Sequence, residues 1–266
     1  MNETSLSRKL TAAMLIAAMT ILPGCATKKP GEPLQTASVS VDESSAPSDH
    51  KDPFEVVNRG LFKVHEIIDG VLLKPIAHIY RGVMPDVAQT GVRNAMTNLA
   101  SPIVLLNSIL QADVNNAGRT VERFAINSTV GIAGLFDVAS NMGIKKQHNK
   151  DFGQTLGVYG VGTGPYIFIP VIGPSDARDT LGLVADFFSD PFYYILNSNA
   201  YLALDITRGV VKRTDLLPLT DRIERDSFDP YVTYRSIYLQ NRAKVVRDYL
   251  GSDTGFEREA GKAAGK

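Results

Sequence analysis

Apolar positions recur along the chain with the spacing of helices. Phe54, Val57, Leu61, Val64 and Ile68 fall three and four residues apart, which places them on one face of a helix. Three Asp-Pro-aromatic steps punctuate the region: Asp52-Pro53-Phe54, Asp190-Pro191-Phe192 and Asp229-Pro230-Tyr231. Asp is a favoured N-cap and Pro a favoured first helical residue, so each step predicts a helix start. Glu55 follows Asp52 at the spacing of a capping box, and Ser101-Pro102 predicts a further start. Together these signals predict helices over about 54–72, 76–82, 86–99, 102–111, 114–130, 176–188, 191–212 and 231–249. The predicted fold class is all-α.

Two blocks interrupt the usual alternation of charge with apolar residues. No charged residue lies between Arg93 and Asp113, a gap of 19, or between Asp151 and Asp176, a gap of 24. A helix facing water normally carries charge on its outer side, so such blocks are buried or face something other than water. Neither makes a spanning helix. The first contains Asn94, Asn98, Asn107 and Pro102, and the second six glycines and three prolines. Irregular backbone is tolerated at membrane depth only inside protein or along a cavity. The segment Gly157 to Pro174 is therefore expected to line a cavity or to pack inside the domain as a buried loop with a strand-like piece, Tyr166 to Ile169. Gly160, Gly162 and Gly164 complete neither a Walker loop nor a GxGxxG turn.

The chain ends change the picture more than composition does. Arg8 and Lys9 precede an apolar run from Leu10 to Leu22, the pattern of a signal peptide over residues 1–24. Cys25 is the only cysteine, which excludes an intrachain disulfide in an exported chain. Leu22-Pro23-Gly24-Cys25 resembles a bacterial lipobox, which implies cleavage before Cys25 and its acylation. Acyl chains hold a protein on a membrane at about 0.8 kcal/mol per buried methylene. Ala26, where an aspartate would signal retention at the inner membrane, makes the outer membrane the implied destination. Residues 25–51 are rich in Ser, Pro, Thr and charge and read as an acylated disordered tether, and 251–266 as a flexible tail. Residues 52–250 remain as one helical domain.

Charge is balanced at 28 basic and 28 acidic residues, which argues against a nucleic-acid partner. There is no GxSxG elbow, and Ser175 has no glycine two residues later. His50, His65, His78 and His148 show no metal-ligand spacing. No catalytic residue, cofactor or metal is assigned, and the chain is read as not an enzyme.

A series of motifs in one order carries a resemblance. It begins with Asp52-Pro53-Phe54-Glu55 and Asn58-Arg59, Asn98-Leu99 with Pro102, and Leu106-Asn107 with Leu110-Gln111. It continues through Arg123-Phe124, Asn127, Gly131, Gly134-Leu135-Phe136-Asp137-Val138-Ala139 and Asp151-Phe152-Gly153-Gln154-Thr155-Leu156-Gly157. Gly160-Val161-Gly162, Gly164-Pro165-Tyr166, Pro170, Gly173-Pro174-Ser175, Arg178-Asp179, Tyr238-Leu239-Gln240 and Arg242 complete it. This resembles the MlaA (VacJ) family of outer-membrane lipoproteins over nearly all of 52–250. Val64-His65 departs from the aromatic-asparagine pair common in the family.

The resemblance implies a ring-like helical protein seated in the inner leaflet of the outer membrane around an amphipathic channel. It implies association with trimeric porins, and removal of misplaced outer-leaflet phospholipids to a periplasmic MlaC-like carrier. Gly160, Gly162, Gly164, Pro165, Tyr166, Pro170, Gly173 and Pro174 are the candidates for the channel. Arg178 and Asp179 would hold a head group or pair within the fold. The alternative is a structural or surface envelope lipoprotein without transport activity.

Overall fold

The structure, a computed structural model, describes residues 52–251. Helix α1 spans Glu55–Ile68 and runs through a π-helical turn, Asp69–Leu73, into α2, Lys74–Val83. Then follow α3 Asp86–Leu99, α4 Ser101–Leu110, α5 Val114–Thr129, α6 Val138–Asn141 and α7 Phe152–Val158. A hairpin of β1, Tyr166–Ile169, and β2, Gly173–Asp176, leads into α8, Ala177–Ser189. Three helices complete the described chain: α9 Pro191–Ile195, α10 Ser198–Asp226 and α11 Pro230–Gly251. The molecule is all-α apart from the hairpin.

The expected starts form, with different chemistry at two of them. Asp52, Asp190 and Asp229 each accept a nearby backbone N–H, from Phe54, Phe192 and Val232. Glu55 does not close a capping box; it pairs with Arg59 one turn on, at 2.8 Å. Ser101 is already helical, and its hydroxyl turns back to the Thr97 carbonyl.

Other boundaries move for identifiable reasons. The helices expected at 54–72 and 76–82 are one continuous rod, because the π turn absorbs an extra residue without breaking the ladder. The helix expected over 191–212 breaks at Leu196, whose extended backbone separates α9 from α10. Asn197 caps α10, which then runs past Pro218 to Asp226. The short α6 and α7 escaped periodicity altogether, since four and seven residues are too few to show it. They are fixed by Asp137 and Asp151, each capping a backbone N–H three residues on.

The apolar core joins α1, the hairpin and α11. Phe62, Tyr166, Phe168 and Tyr231 are buried together, with Phe62 edge-on to Phe168 at 5.1 Å and to Tyr231 at 5.8 Å. Asn58 ties the hairpin to α1 by acting as a neighbouring strand. Its Nδ2 donates to the Tyr166 carbonyl and its Oδ1 accepts from Phe168 N–H, both at 3.0 Å.

Candidate functional site

Several helices turn polar side chains inward. In α5 the buried residues are Asn116, Thr120, Arg123 and Asn127, a polar stripe at helical spacing. In α4 Ser101, Asn107 and Ser108 are buried with Val104, while Ile109 is 61 % exposed. On α1 the two kinds are mixed: Phe62 joins the apolar core and Asn58 is buried beside it, while Val56, Val57, Val64 and Ile67 are exposed. Among the described residues, 12 hydrophobic side chains are buried against 22 polar or charged ones, and 39 large hydrophobic ones are exposed. An interior this polar is held by hydrogen bonds rather than by apolar burial.

The interior bonds are specific. Asn116 bridges the Ser108 hydroxyl and the backbone of His148. Thr155 joins Asn107 to Gln111, and Lys150 reaches Gln111 and Asp113. Arg123 holds Asp137, Ser140 and the Ile144 carbonyl. Burial pushes the Asp137 carboxyl up, but hydrogen bonds from Ser140, Arg123 and Asn127 outweigh it and hold it at about 2. No helix among the described residues is long and apolar enough to cross a membrane.

A charged knot secures α7, α8 and α11. Arg242 donates through both terminal nitrogens to Asp151, at 2.8 and 2.7 Å, and through Nε to Asp179. Asp179 also accepts from Tyr238, at 2.6 Å, and from Arg178, at 3.0 Å. Burial raises the Asp179 carboxyl, yet the Arg242 and Tyr238 hydrogen bonds bring it below the ordinary range. The helices meet closely enough for this only because of glycines. A Cβ on Gly182 would overlap the backbone nitrogen of Gly153, and one on Gly153 would lie 2.5 Å from Asp179 Oδ1. Arg178 and Asp179, nine-tenths or more buried, thus pair within the fold.

Beside this knot lies a cavity of about 480 Å³ between the hairpin, α8, α10 and α11. Asp151, Asp179, Asp186 and Arg242 provide polar wall, and Lys212 a further charge. Leu216, Leu219, Ile223, Ile237, Leu183 and Ile172 provide apolar wall. Asp186 accepts from Phe152 N–H at 3.0 Å and from Asn107 at 2.9 Å. Burial nevertheless pushes its carboxyl up to about 6. The space is amphipathic.

The hairpin residues expected along a channel are distributed unevenly around this space. Pro174 lines the cavity. Gly160 and Gly162 sit in the exposed approach to the hairpin, and Gly160 and Gly164 adopt positive φ of 84° and 69°. The Pro165 carbonyl accepts from Ala177, and Tyr166 is in the aromatic core. Pro170 and Gly173, the latter at φ 106°, shape the turn between the strands. Cys25 and His50 lie outside the described residues. The walls from α10 were missed by sequence reasoning; the spacing of Lys212, Leu216, Leu219 and Ile223 is the signal that could have found them.

Among the described residues no group of His, Cys, Asp or Glu is placed to hold a metal ion.

Comparison with known proteins gives a consistent result. A family profile described as MlaA lipoprotein matches residues 50–245. An uncharacterised protein of Rickettsia typhi is 34% identical over 197 residues, covering 74% of this chain and 78% of its own. The intermembrane phospholipid transport system lipoprotein MlaA of Escherichia coli is 32% identical over 235 residues, 87% of each chain. A structure solved to explain maintenance of bacterial outer membrane lipid asymmetry superposes with a TM-score of 0.64 at 32% identity. That match covers 73% of this chain and 98% of the other. With its motifs, its fold and these matches in agreement, the chain belongs to the MlaA lipoprotein family.

Proposed function

We propose that this protein removes mislocalised phospholipids from the outer leaflet of the outer membrane through an amphipathic passage and passes them to a periplasmic carrier, maintaining lipid asymmetry. The observation that carries the reading is the inversion of α4 and α5, with polar stripes inside and apolar side chains outside. A charged head group moving through hydrocarbon needs a polar path, while a protein seated in a leaflet needs an apolar exterior. The same arrangement serves both needs. The names borne by the relative and by the solved structure point the same way.

Several parts of the reading extend further. Residues 1–24 act as a signal peptide, Cys25 is acylated, and 25–51 tether the domain on the periplasmic side. A trimeric porin and an MlaC-like carrier are the protein partners. The segment from Gly160 to Pro174 borders the passage, and the chain works as a conduit without catalysis. Glycine 164 is a poor site for blocking it by substitution, because its positive φ and the Ala177 Cβ at 3.0 Å oppose any side chain.

Mass spectrometry of lipid retained by the full-length chain, purified in detergent and incubated with diacyl phospholipid, tests the conduit. Retained lipid with both ester bonds intact is expected. Ester cleavage would make the protein a hydrolase, and absence of bound lipid would leave a structural envelope lipoprotein.

A further inference from the structure

Among the described residues, the cavity beside the charged knot has one cation without a partner. Arg242 is committed to Asp151 and Asp179, and Asp179 is shared with Arg178. Lys212 is exposed and makes no ion pair or hydrogen bond among the described residues. From Lys212 the same face of α10 continues with Leu216, Leu219 and Ile223, all on the cavity wall. At the rise of an α-helix, that stripe extends roughly 16 Å from the lysine. A cation at one end of an apolar track matches an amphiphile with an anionic phosphate at one end and a hydrocarbon chain behind it.

We propose that Lys212 binds the phosphate of a phospholipid whose acyl chain lies along Leu216, Leu219 and Ile223, making this face of α10 the lipid-recognising wall of the cavity. The inference rests on the transport reading and assigns its substrate contact. An ammonium on a flexible stem is suited to a phosphodiester that must be released again, since it holds the anion as a point charge without the two-pronged grip of arginine. None of the three carboxylates of the cavity is paired with it: Asp151 and Asp179 share Arg242, Asp179 also takes Arg178, and Asp186 accepts from Phe152 N–H and Asn107. The track's apolar side chains supply affinity for the tail irrespective of head group.

The test uses the full-length chain in detergent with three fluorescent or competing probes: phosphatidylglycerol, diacylglycerol with the same tails, and glycerol phosphate. Lys212→Gln should weaken phosphatidylglycerol about tenfold, the loss of one charge-assisted contact, and leave diacylglycerol unchanged. Lys212→Arg should restore phosphatidylglycerol binding, and Leu219→Asp should weaken both lipids. Equal phosphatidylglycerol affinity for wild type and Lys212→Gln would overturn the lysine's role while the transport reading stands. Binding of glycerol phosphate as tight as that of the lipid would make this a small-anion site and overturn the acyl track. Absence of binding by any lipid would overturn the inference and the transport reading together.

Discussion

Asn58 shows how much one side chain can organise. It completes the open edge of β1 with two hydrogen bonds from a buried position, so its loss leaves backbone groups unsatisfied inside the core. Asn58→Leu should cost about 2–3 kcal/mol, measured as a lower midpoint in thermal unfolding. Gly182→Ala should cost about 1–3 kcal/mol through overpacking against Gly153, whereas Gly162→Ala, where a methyl meets open space, should be nearly neutral. Titration adds a test of direction. Asp186 has its folded value raised to about 6, so its contribution is full below about pH 4 and is lost as pH rises through 6. Asp137, held at about 2, contributes above about pH 4 and is lost as pH falls through 2. Wild type minus Asp186→Asn should therefore lose on the order of 2 kcal/mol of relative stability between pH 4 and 7. A flat difference would show that Asp186 is better solvated than its surroundings indicate. At this scale the sequence left Arg178 and Asp179 with two roles open. The decision comes from Arg242, more than sixty residues away, and spacing along the chain cannot reveal such a partner.

Helices were legible as elements because the three-and-four spacing survives in Phe54 to Ile68 and the Asp-Pro steps mark the starts. Their orientation was not. Periodicity identifies an apolar face but does not say what that face meets: in α5 the buried stripe is polar, and in α1 and α4 the buried apolar residues are Phe62 and Val104 alone. The uncharged blocks were the one sequence signal that something other than water lies outside. Strand β2 was invisible for another reason: Gly173-Pro174-Ser175-Asp176 contains no strand-forming residue, and it pairs only because β1 is already held by Asn58. The inverted helices predict an asymmetry between substitutions. On a Cys25→Ser background, which removes the proposed acyl anchor, Ile109→Lys should reduce flotation with phospholipid vesicles without lowering thermal stability in detergent. Asn127→Leu should do the reverse, because Asn127 holds Asp137 and the Ala139 N–H inside the fold. Equal effects of the two in both assays would mean that the outward faces do not meet lipid.

Across the described residues, few buried hydrophobic side chains and many exposed ones fit the proposed seat in a lipid leaflet. The ordered motifs made family membership legible from the sequence, and several of them sit at a cap, a glycine crossing or a buried polar node. Asp137 and Asp151 cap helices, Gly153 meets Gly182, and Arg242 closes the knot. The cavity was harder to foresee, as its wall draws on Asp151, the hairpin and three helices, spread from Asp151 to Arg242. The most direct test of the central claim is the amount of phospholipid in the outer leaflet, labelled on intact cells with a membrane-impermeant amine reagent. A deletion strain is predicted to show excess surface phospholipid that the wild-type chain restores to normal and Leu219→Asp, folded and correctly located, does not. An unchanged surface in the deletion strain would contradict phospholipid removal as the function of this protein.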